Sequence, residues 1–406
     1  MEAVALTRPR AVMVFLAFAF AYFISALLRA VTATLAPVFS TELSLRGADL
    51  GLLAGAYFLG FSLMQLPLGQ ALDRHGPRRV LLGLLVVAIG GCVAFATANG
   101  LMSLFLARAA IGVGVSACLM APLTCYRRIY APGAQMRANS WMLMTGSLGM
   151  MASTVPVQWL MPLVGWRGLF WGLAVLLLVA AIAIHALAPV DRPWEATAAS
   201  SGGYREILRH PMFVRMAPMG FFMYGGLIAV QALWAGPWLT RVAGRSDSEA
   251  AAGLLLVNAS MLVTFLGWGV LMPRLTRRGV GAERLMAWGL PVGLAALGSI
   301  VVAGAGAGAW AWAAWCVCCS VVTLSQPAIG QAFPLSSAGR ALSAFNLVIF
   351  AGVFSVQWAI GWGMDLLGTR GFDTAPAMRC AFAGYGACSL LSYGWFLAGI
   401  RRSRAT

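Results

Sequence analysis

Long apolar segments alternate with short polar connectors along the whole chain. A helix needs about 20 apolar residues to cross a bilayer, and segments of that length recur twelve times in this sequence. We therefore predict an all-α membrane protein with twelve transmembrane helices. They are predicted at 11–39, 48–71, 80–98, 101–125, 138–163, 167–188, 212–239, 250–272, 285–304, 309–331, 341–367 and 378–400.

The longest polar interval divides this pattern into two equal halves. It runs from Pro189 to His210 and contains acidic, basic, Ser and Gly residues. We predict an N-terminal six-helix bundle at 1–188, a cytoplasmic linker at 189–211 and a C-terminal six-helix bundle at 212–406.

Short sequence matches relate the two halves at a nearly constant offset of about 200 residues, which is typical of transporters built by duplication of a helical unit. Pro37 corresponds to Pro237, and Gly69 to Gly269. The Val-Gln-Trp triplet that contains Gln158 returns around Gln357. We predict two pseudo-symmetric bundles.

Composition supports a membrane protein and argues against nucleic-acid binding. Only 10% of the residues are charged, whereas soluble domains carry about 25%. All 28 basic residues are arginine and the net charge is +16, but the arginines fall in alternate connectors and not in one patch. This bias predicts a multi-pass protein with both termini in the cytoplasm. The all-arginine, Gly/Ala-rich usage suggests a bacterial source, so we expect location in the bacterial inner membrane. No signal peptide is evident.

Cysteine spacing gives no indication of a metal centre or a disulfide framework. The eight cysteines lie mostly inside apolar segments and lack a Cys-x-x-Cys arrangement. No nucleophile–base pair stands out, so an enzyme is not expected. We expect no cofactor, and we expect a monomer whose partners are a small-molecule substrate and the lipid bilayer.

A charged connector between the second and third apolar segments carries a family resemblance. Its pattern, Gly-x-x-x-Asp-Arg-x-Gly-x-Arg-Arg, resembles the loop between helices 2 and 3 of the major facilitator superfamily. We predict a gating role for Asp73 against a neighbouring helix N-terminus, with the basic residues at the cytoplasmic face. The predicted gating residues are Gly69, Asp73, Arg74, Gly76, Arg78 and Arg79, with Arg274 and Arg278 as their counterparts.

Other motifs extend the resemblance over essentially the whole chain. The Arg108-x-x-x-Gly112-x-Gly114 pattern is similar to the family's helix 4 motif, and Gly165-Trp166-Arg167 resembles the turn into helix 6. The helix 5 motif of drug antiporters is matched only loosely, since its Gly-Pro pair is missing. The resemblance implies two six-helix bundles around a central cavity, lined by helices 1, 4, 7 and 10, and transport by alternating access.

Two arginines within the apolar segments are the strongest site candidates, because buried charge in a membrane is costly. Arg29 lies in the first segment and Arg108 in the fourth, whereas the only acids inside segments, Asp49 and Asp365, lie near the segment ends. An uncompensated positive site favours an anionic substrate. The alternative is that both arginines bond backbone carbonyls and are structural.

Neutral polar and aromatic residues inside the segments complete the predicted substrate site. A buried glutamine needs a hydrogen-bond partner, which a neighbouring helix or a ligand can supply. The predicted substrate-binding residues are Arg29, Arg108, Gln231, Trp234, Gln158, Gln357, Tyr22, Tyr57 and Asn346.

Three other functions remain open beside anion transport. One is efflux of drugs or metabolites by proton antiport. Another is import of Cu(I) or a soft metal, because thioethers at helical spacing suit such ions. They occur at Met212, Met216, Met219 and Met223, although the next segment has no His. The last is a sensor or assembly factor, for which no added domain provides support.

Overall fold

The structure is a computed structural model, and it describes the backbone of residues 8–130, 132–190 and 204–405. Within these ranges it does not describe the side chains of residues 8, 73, 127–129, 132–137, 139, 140, 273, 276, 335, 336 and 401–405. The described residues form helices and turns, without a strand.

The helices follow the predicted apolar segments closely. They are α1 Arg8–Glu42, α2 Gly47–His75, α3 Pro77–Thr97, α4 Leu101–Val115, α5 Ala117–Ile129, α6 Pro132–Ala152, α7 Val155–Leu187, α8 Tyr204–Arg209, α9 Pro211–Met219, α10 Gly225–Ala229, α11 Ala235–Arg241, α12 Asp247–Arg277, α13 Ala282–Ala303, α14 Ala309–Cys319, α15 Ser325–Ala332, α16 Leu335–Gly368 and α17 Thr374–Ala405.

Ten helical stretches of the described chain are long and apolar enough to cross a membrane. They cover the predicted segments other than the fifth and the twelfth. Helices α6 and α17 occupy those two places, with 21 and 32 residues. The all-α membrane architecture is confirmed, and the count of twelve spans stays a prediction.

Several predicted segments are interrupted and not continuous. The fourth has a local irregularity at Ser116, which keeps helical φ and ψ, and the tenth passes through a 3₁₀ stretch at Ser320–Leu324. The fifth breaks after Ala152, just before Pro156, which lacks the N–H needed to continue a helix. The turn into the sixth segment is the kink at Gly165, whose φ of 64° suits glycine.

The seventh segment contains two π-helical turns, a feature that the apolar pattern did not predict. They cover Gly220–Tyr224 and Val230–Trp234, and they separate α9, α10 and α11. A π turn shifts the backbone hydrogen bonds by one residue and occurs frequently at functional sites. The predicted site residues Gln231 and Trp234 both lie in the second turn.

The charged connector is much shorter than predicted. Helix α2 continues to His75 and α3 begins at Pro77, so only Gly76 separates them. Gly76 has a φ of 84°, which glycine adopts readily, and Pro77 is pre-organised for the first turn of α3. The predicted linker lies mostly outside the described residues. Its residues Tyr204–Arg209 are helical, and His210 has an extended backbone before α9 begins.

Contacts divide the chain into two compact units. The first comprises Met1–Val31 and Ala56–Ala199, and the second comprises Thr32–Gly55 and Ser200–Thr406. Thus the end of α1 and the beginning of α2 group with the C-terminal half of the sequence. The predicted boundaries at 188 and 212 stay a prediction.

Candidate functional site

Arg29 lies in the middle of a polar and aromatic group in the first unit. Its guanidinium is within electrostatic and hydrogen-bonding range of the Tyr22 and Tyr57 hydroxyls, and its carbon Cζ lies 5.8 Å from the centroid of the Phe61 ring. The side chain is half-buried. Its Nε is enclosed and has no hydrogen-bond partner among the described residues.

Tyr57 lies between Arg29 and Arg108, the two arginines that were predicted to bind the substrate. Its ring lies 5.2 Å from the Arg108 guanidinium, and its hydroxyl donates to the Ser25 carbonyl at 3.4 Å. It stacks on Phe61 with 6.1 Å between the ring centroids. Tyr57 is fully buried, and Tyr22 is 6% exposed. The structure therefore brings together Tyr22, Arg29 and Tyr57.

Arg108 is packed as a structural residue. It is 1% exposed, and its Nη2 donates to the carbonyl of Leu28 at 2.8 Å. That carbonyl directly precedes Arg29, so Arg108 attaches α4 to α1 beside the candidate site. This geometry favours the structural alternative over the predicted substrate contact. Gln158 is half-buried near the start of α7.

No described side chain in the first unit is acidic. Its four acids are Glu2, Asp73, Asp191 and Glu195, and all four side chains lie outside the described part. In the second unit, Asp365 accepts hydrogen bonds from the backbone N–H groups of Gly47 and Ala48, at 3.0 and 2.8 Å.

The predicted substrate-binding residues of the second unit fall into three separate hydrogen-bonded groups. Gln357 and Trp234 belong to the first, Gln231 to the second and Asn346 to the third. Gln357 is fully buried and donates to the carbonyl of Ala229 at 3.4 Å, while its Oε1 has no partner in the described part. Trp234, also fully buried, donates to the Gln357 carbonyl at 3.1 Å. Gln231 donates to Asn258 at 2.9 Å.

A third group contains polar residues that the sequence analysis did not select. Asn346 accepts a hydrogen bond from Gln326, and the Tyr224 hydroxyl lies 3.4 Å from the Oε1 of Gln326. All three side chains are half-buried within predicted spans. Their common signal is a neutral polar residue inside an apolar segment, which was applied to Asn346 but not to the other two.

The predicted gating residues are only partly described. Arg74, Arg79, Arg274 and Arg278 are exposed, as is Gly69. Arg78 donates to the carbonyl of His185, near the end of α7. Asp73 lies in α2, but its side chain falls outside the described part, so its proposed docking stays a prediction.

The family model of the Major Facilitator Superfamily matches residues 18–357 of this chain. The chain belongs to the Major Facilitator Superfamily. It is thus a multi-pass membrane transporter, as the connector motif and the helical pattern predicted.

Solved structures of superfamily transporters share the fold over nearly the whole chain. One is a bacterial homologue of the human lysosomal transporter Spinster, inward-facing and unoccupied, with 18% identity, 98% coverage of both chains and a TM-score of 0.77. The POT family transporter PepTSo matches with 13% identity, 99% coverage of both chains and a TM-score of 0.79. A D-xylose–proton symporter matches with 16% identity, coverage of 95% and 97%, and a TM-score of 0.73.

The helix 4 motif of this superfamily member is a packing device. A Cβ on Gly112 would lie 2.0 Å from the Tyr57 carbonyl oxygen in α2, and one on Gly114 would lie 2.2 Å from the Ala88 nitrogen in α3. With the Arg108 bond to Leu28, this motif attaches α4 to α1, α2 and α3. The motif therefore holds the backbone around Tyr57 and Arg29 in place.

Proposed function

We propose that this superfamily member is a secondary transporter for a small anionic solute, moved by alternating access, and that Arg29 pairs with the negative group of the solute. One observation carries the proposal. Arg29 is half-buried in a membrane span, has an enclosed Nε without a described partner, and shares its unit with no described acidic side chain. An uncompensated charge at such depth costs at least about 2.5 kcal/mol.

The surroundings of Arg29 suit an anion better than a cation. Tyr22 and Tyr57 present neutral hydroxyls, and Phe61 presents a ring. None of these groups cancels the positive charge. A guanidinium offers a planar fork of donors that matches a carboxylate or phosphate bidentately. A negative group on the solute would supply both the missing charge and the missing hydrogen-bond acceptor.

Proton antiport by a membrane carboxylate receives less support. Asp49 and Asp365 are the only acids inside the predicted spans, and both lie near span ends. Asp49 accepts a hydrogen bond from the Arg46 N–H, and both oxygens of Asp365 accept backbone hydrogen bonds. Exchange, uniport, or movement of a proton on the solute itself agrees better with this arrangement. The proposal includes location in the bacterial inner membrane with both termini in the cytoplasm.

The soft-metal alternative is also weakened. Met216 and Met219 are fully buried and Met223 is 4% exposed, so these thioethers pack inside the protein. The Met212 sulfur is 2.9 Å from an Arg215 nitrogen, and a cation beside it disfavours a metal ion. No observation favours a sensor or assembly factor.

A ligand-stabilisation screen tests the proposal. Purified protein is heated with organic acids, sugar phosphates, inorganic anions, neutral sugars and cationic drugs, and a compound that binds the folded state raises the unfolding temperature. Binding of each hit is then measured for wild type, Arg29→Lys and Arg29→Gln. Arg370→Gln is the matched control, because it makes the same change at an exposed residue.

We expect the hits to be anions. Loss of a hydrogen bond to a charged group costs about 1.5–3 kcal/mol, so Arg29→Gln should weaken binding roughly 10- to 100-fold. Arg29→Lys keeps the charge but loses the fork, and should fall in between. Arg370→Gln should bind like wild type. A cationic or neutral substrate, or normal binding by Arg29→Gln, would refute the assignment.

A further inference from the structure

Helix α2 begins without a side-chain acceptor at its N-cap position. The first N–H groups of a helix lack partners within the helix, and the side chain at the N-cap usually supplies an acceptor. Here that position is Arg46, which has no acceptor to offer. The N–H groups of Gly47 and Ala48 instead donate to the two oxygens of Asp365, which lies 317 or more residues away on α16. The cap of α2 thus comes from a different helix.

The corresponding helix of the other sequence half is capped locally. At an offset of 200 residues, Arg46 corresponds to Ser246, just before α12. The Ser246 hydroxyl accepts from the Glu249 N–H at 3.3 Å, and the Glu249 carboxylate accepts from the Ser246 N–H at 2.9 Å. This is a complete capping box. Helix α2 has only half of one, in which Asp49 accepts from the Arg46 N–H at 3.0 Å.

The backbones of α2 and α16 approach closely beside this contact. A Cβ on Gly361 would lie 2.0 Å from the Gly47 oxygen, and a Cβ on Gly51 would lie 2.3 Å from the Gln357 oxygen. All of these residues belong to the second unit. Such an approach puts Asp365 directly against the first turn of α2.

A neighbouring contact attaches α1 in the same region. Arg241, the last residue of α11, donates to the hydroxyl of Ser40 and interacts electrostatically with Asp365. Farther along, a Cβ on Gly236 would lie 2.5 Å from the Ala33 oxygen. The end of α1 and the start of α2 are therefore both fastened to helices from the C-terminal half of the sequence.

We propose that Asp365 is a conformational latch that holds the start of α2 against α16 in the state seen here and releases it during the transport cycle. The latch rests on the proposed alternating access, because it has a role only if these helix ends separate. Removing a helix cap changes an equilibrium by roughly 2- to 30-fold. A contact of that strength biases one state and can still be broken in every cycle.

Hydrogen–deuterium exchange of the purified full chain tests the latch without a substrate. The variants are Asp365→Ala, which removes both acceptors, and Asp365→Asn, which keeps one. Ser246→Ala is the matched control, because it removes a purely local cap from α12. Three peptides are followed: the α2 start (43–55), the α1 end (32–42) and α11 (235–241).

We expect exchange to rise in all three peptides, roughly 2- to 30-fold in Asp365→Ala and less in Asp365→Asn. Ser246→Ala should affect only the start of α12. A rise confined to the α2 start would make Asp365 a simple cap and overturn the latch, as would unchanged exchange. If Asp365→Ala fails to fold, Asp365→Asn decides by the same criterion. Unchanged exchange in the Asp365 variants would overturn the latch but would not affect the assignment of Arg29 as the anion site. Conversely, failure of the anion screen would not change the measured exchange rates.

Discussion

Replacement of Gly112 by alanine should destabilise the first unit and disturb the candidate site together. Gly112 faces the backbone of α2 at Tyr57, and Gly60 of α2 faces α4 in return, since a Cβ on Gly60 would lie 2.1 Å from the Ala109 oxygen. The two helices therefore meet backbone to backbone. Tyr57 is the residue that lies between Arg108 and Arg29, so a shift of α2 moves the tyrosine away from both.

The size of the effect follows from the distances. The new Cβ would lie 2.0 Å from the Tyr57 oxygen, and an ordinary contact needs at least 3.4 Å, so the helices must separate by about 1.4 Å. Overpacking costs about 1–3 kcal/mol, and the upper end applies because the obstacle is backbone. The higher helix propensity of alanine relative to glycine offsets about 1 kcal/mol of this cost. The net loss is then about 2 kcal/mol.

Thermal unfolding of the purified protein, followed by tryptophan fluorescence, measures this loss. A domain of comparable size loses about 2–4 °C per kcal/mol, so Gly112→Ala should unfold roughly 4–8 °C below wild type. Gly90→Ala is the matched control, because Gly90 is exposed on α3 and a Cβ there meets nothing within 4 Å. It should unfold at the wild-type temperature or slightly above. Equal unfolding temperatures for the two variants would refute the packing argument.

Two further predictions concern the gate and the topology. Asp73→Asn should slow transport while leaving solute affinity within a few-fold, because the residue lies on the α2 turn next to the connector and not beside Arg29. Loss of affinity with normal cycling would contradict it. A periplasmic reporter fused after Thr406 should be inactive and a cytoplasmic reporter active, since the arginine bias puts both termini inside. The opposite activities would overturn the topology.

The fold could be predicted because its signals are local. Apolar length marks membrane spans, and the Gly69–Arg79 connector marks the superfamily. The predicted end of α2 at residue 71 was too early, because apolar length measures membrane depth and a helix can continue through charged residues into water. Helix α2 therefore runs to His75 and stops at Gly76, where the backbone needs a positive φ.

The site could be predicted only in part, because its partners are distant in sequence. Arg29 stood out as a charge in an apolar segment, but its group of Tyr22, Tyr57 and Phe61 depends on how α1 meets α2. The sequence indicated Asp365 only as an acid inside an apolar segment. Its cap on α2 joins residues more than 300 positions apart, as the contact with Gly47 shows. No local pattern indicates such a pairing.

The two π turns had an equally weak signal. Gly226 lies between them, and a Cβ there would be 2.2 Å from the Tyr385 hydroxyl oxygen, so close packing against α17 accompanies the irregular backbone. Glycines in an apolar segment suggest such an approach, but they do not say which helix comes near. The register shift of the backbone follows from tertiary packing, which the sequence of one helix does not contain.

The three attachments of α4 have a consequence for protein engineering. Within seven positions, Arg108 bonds the backbone of α1, and Gly112 and Gly114 leave no clearance for a Cβ, so a library that varies them would mainly sample destabilised protein. The side chains of Tyr224, Gln326 and Asn346 are instead half-buried and are held by hydrogen bonds to one another. Variant libraries intended to change the transported solute should therefore keep α4 constant and vary those polar positions.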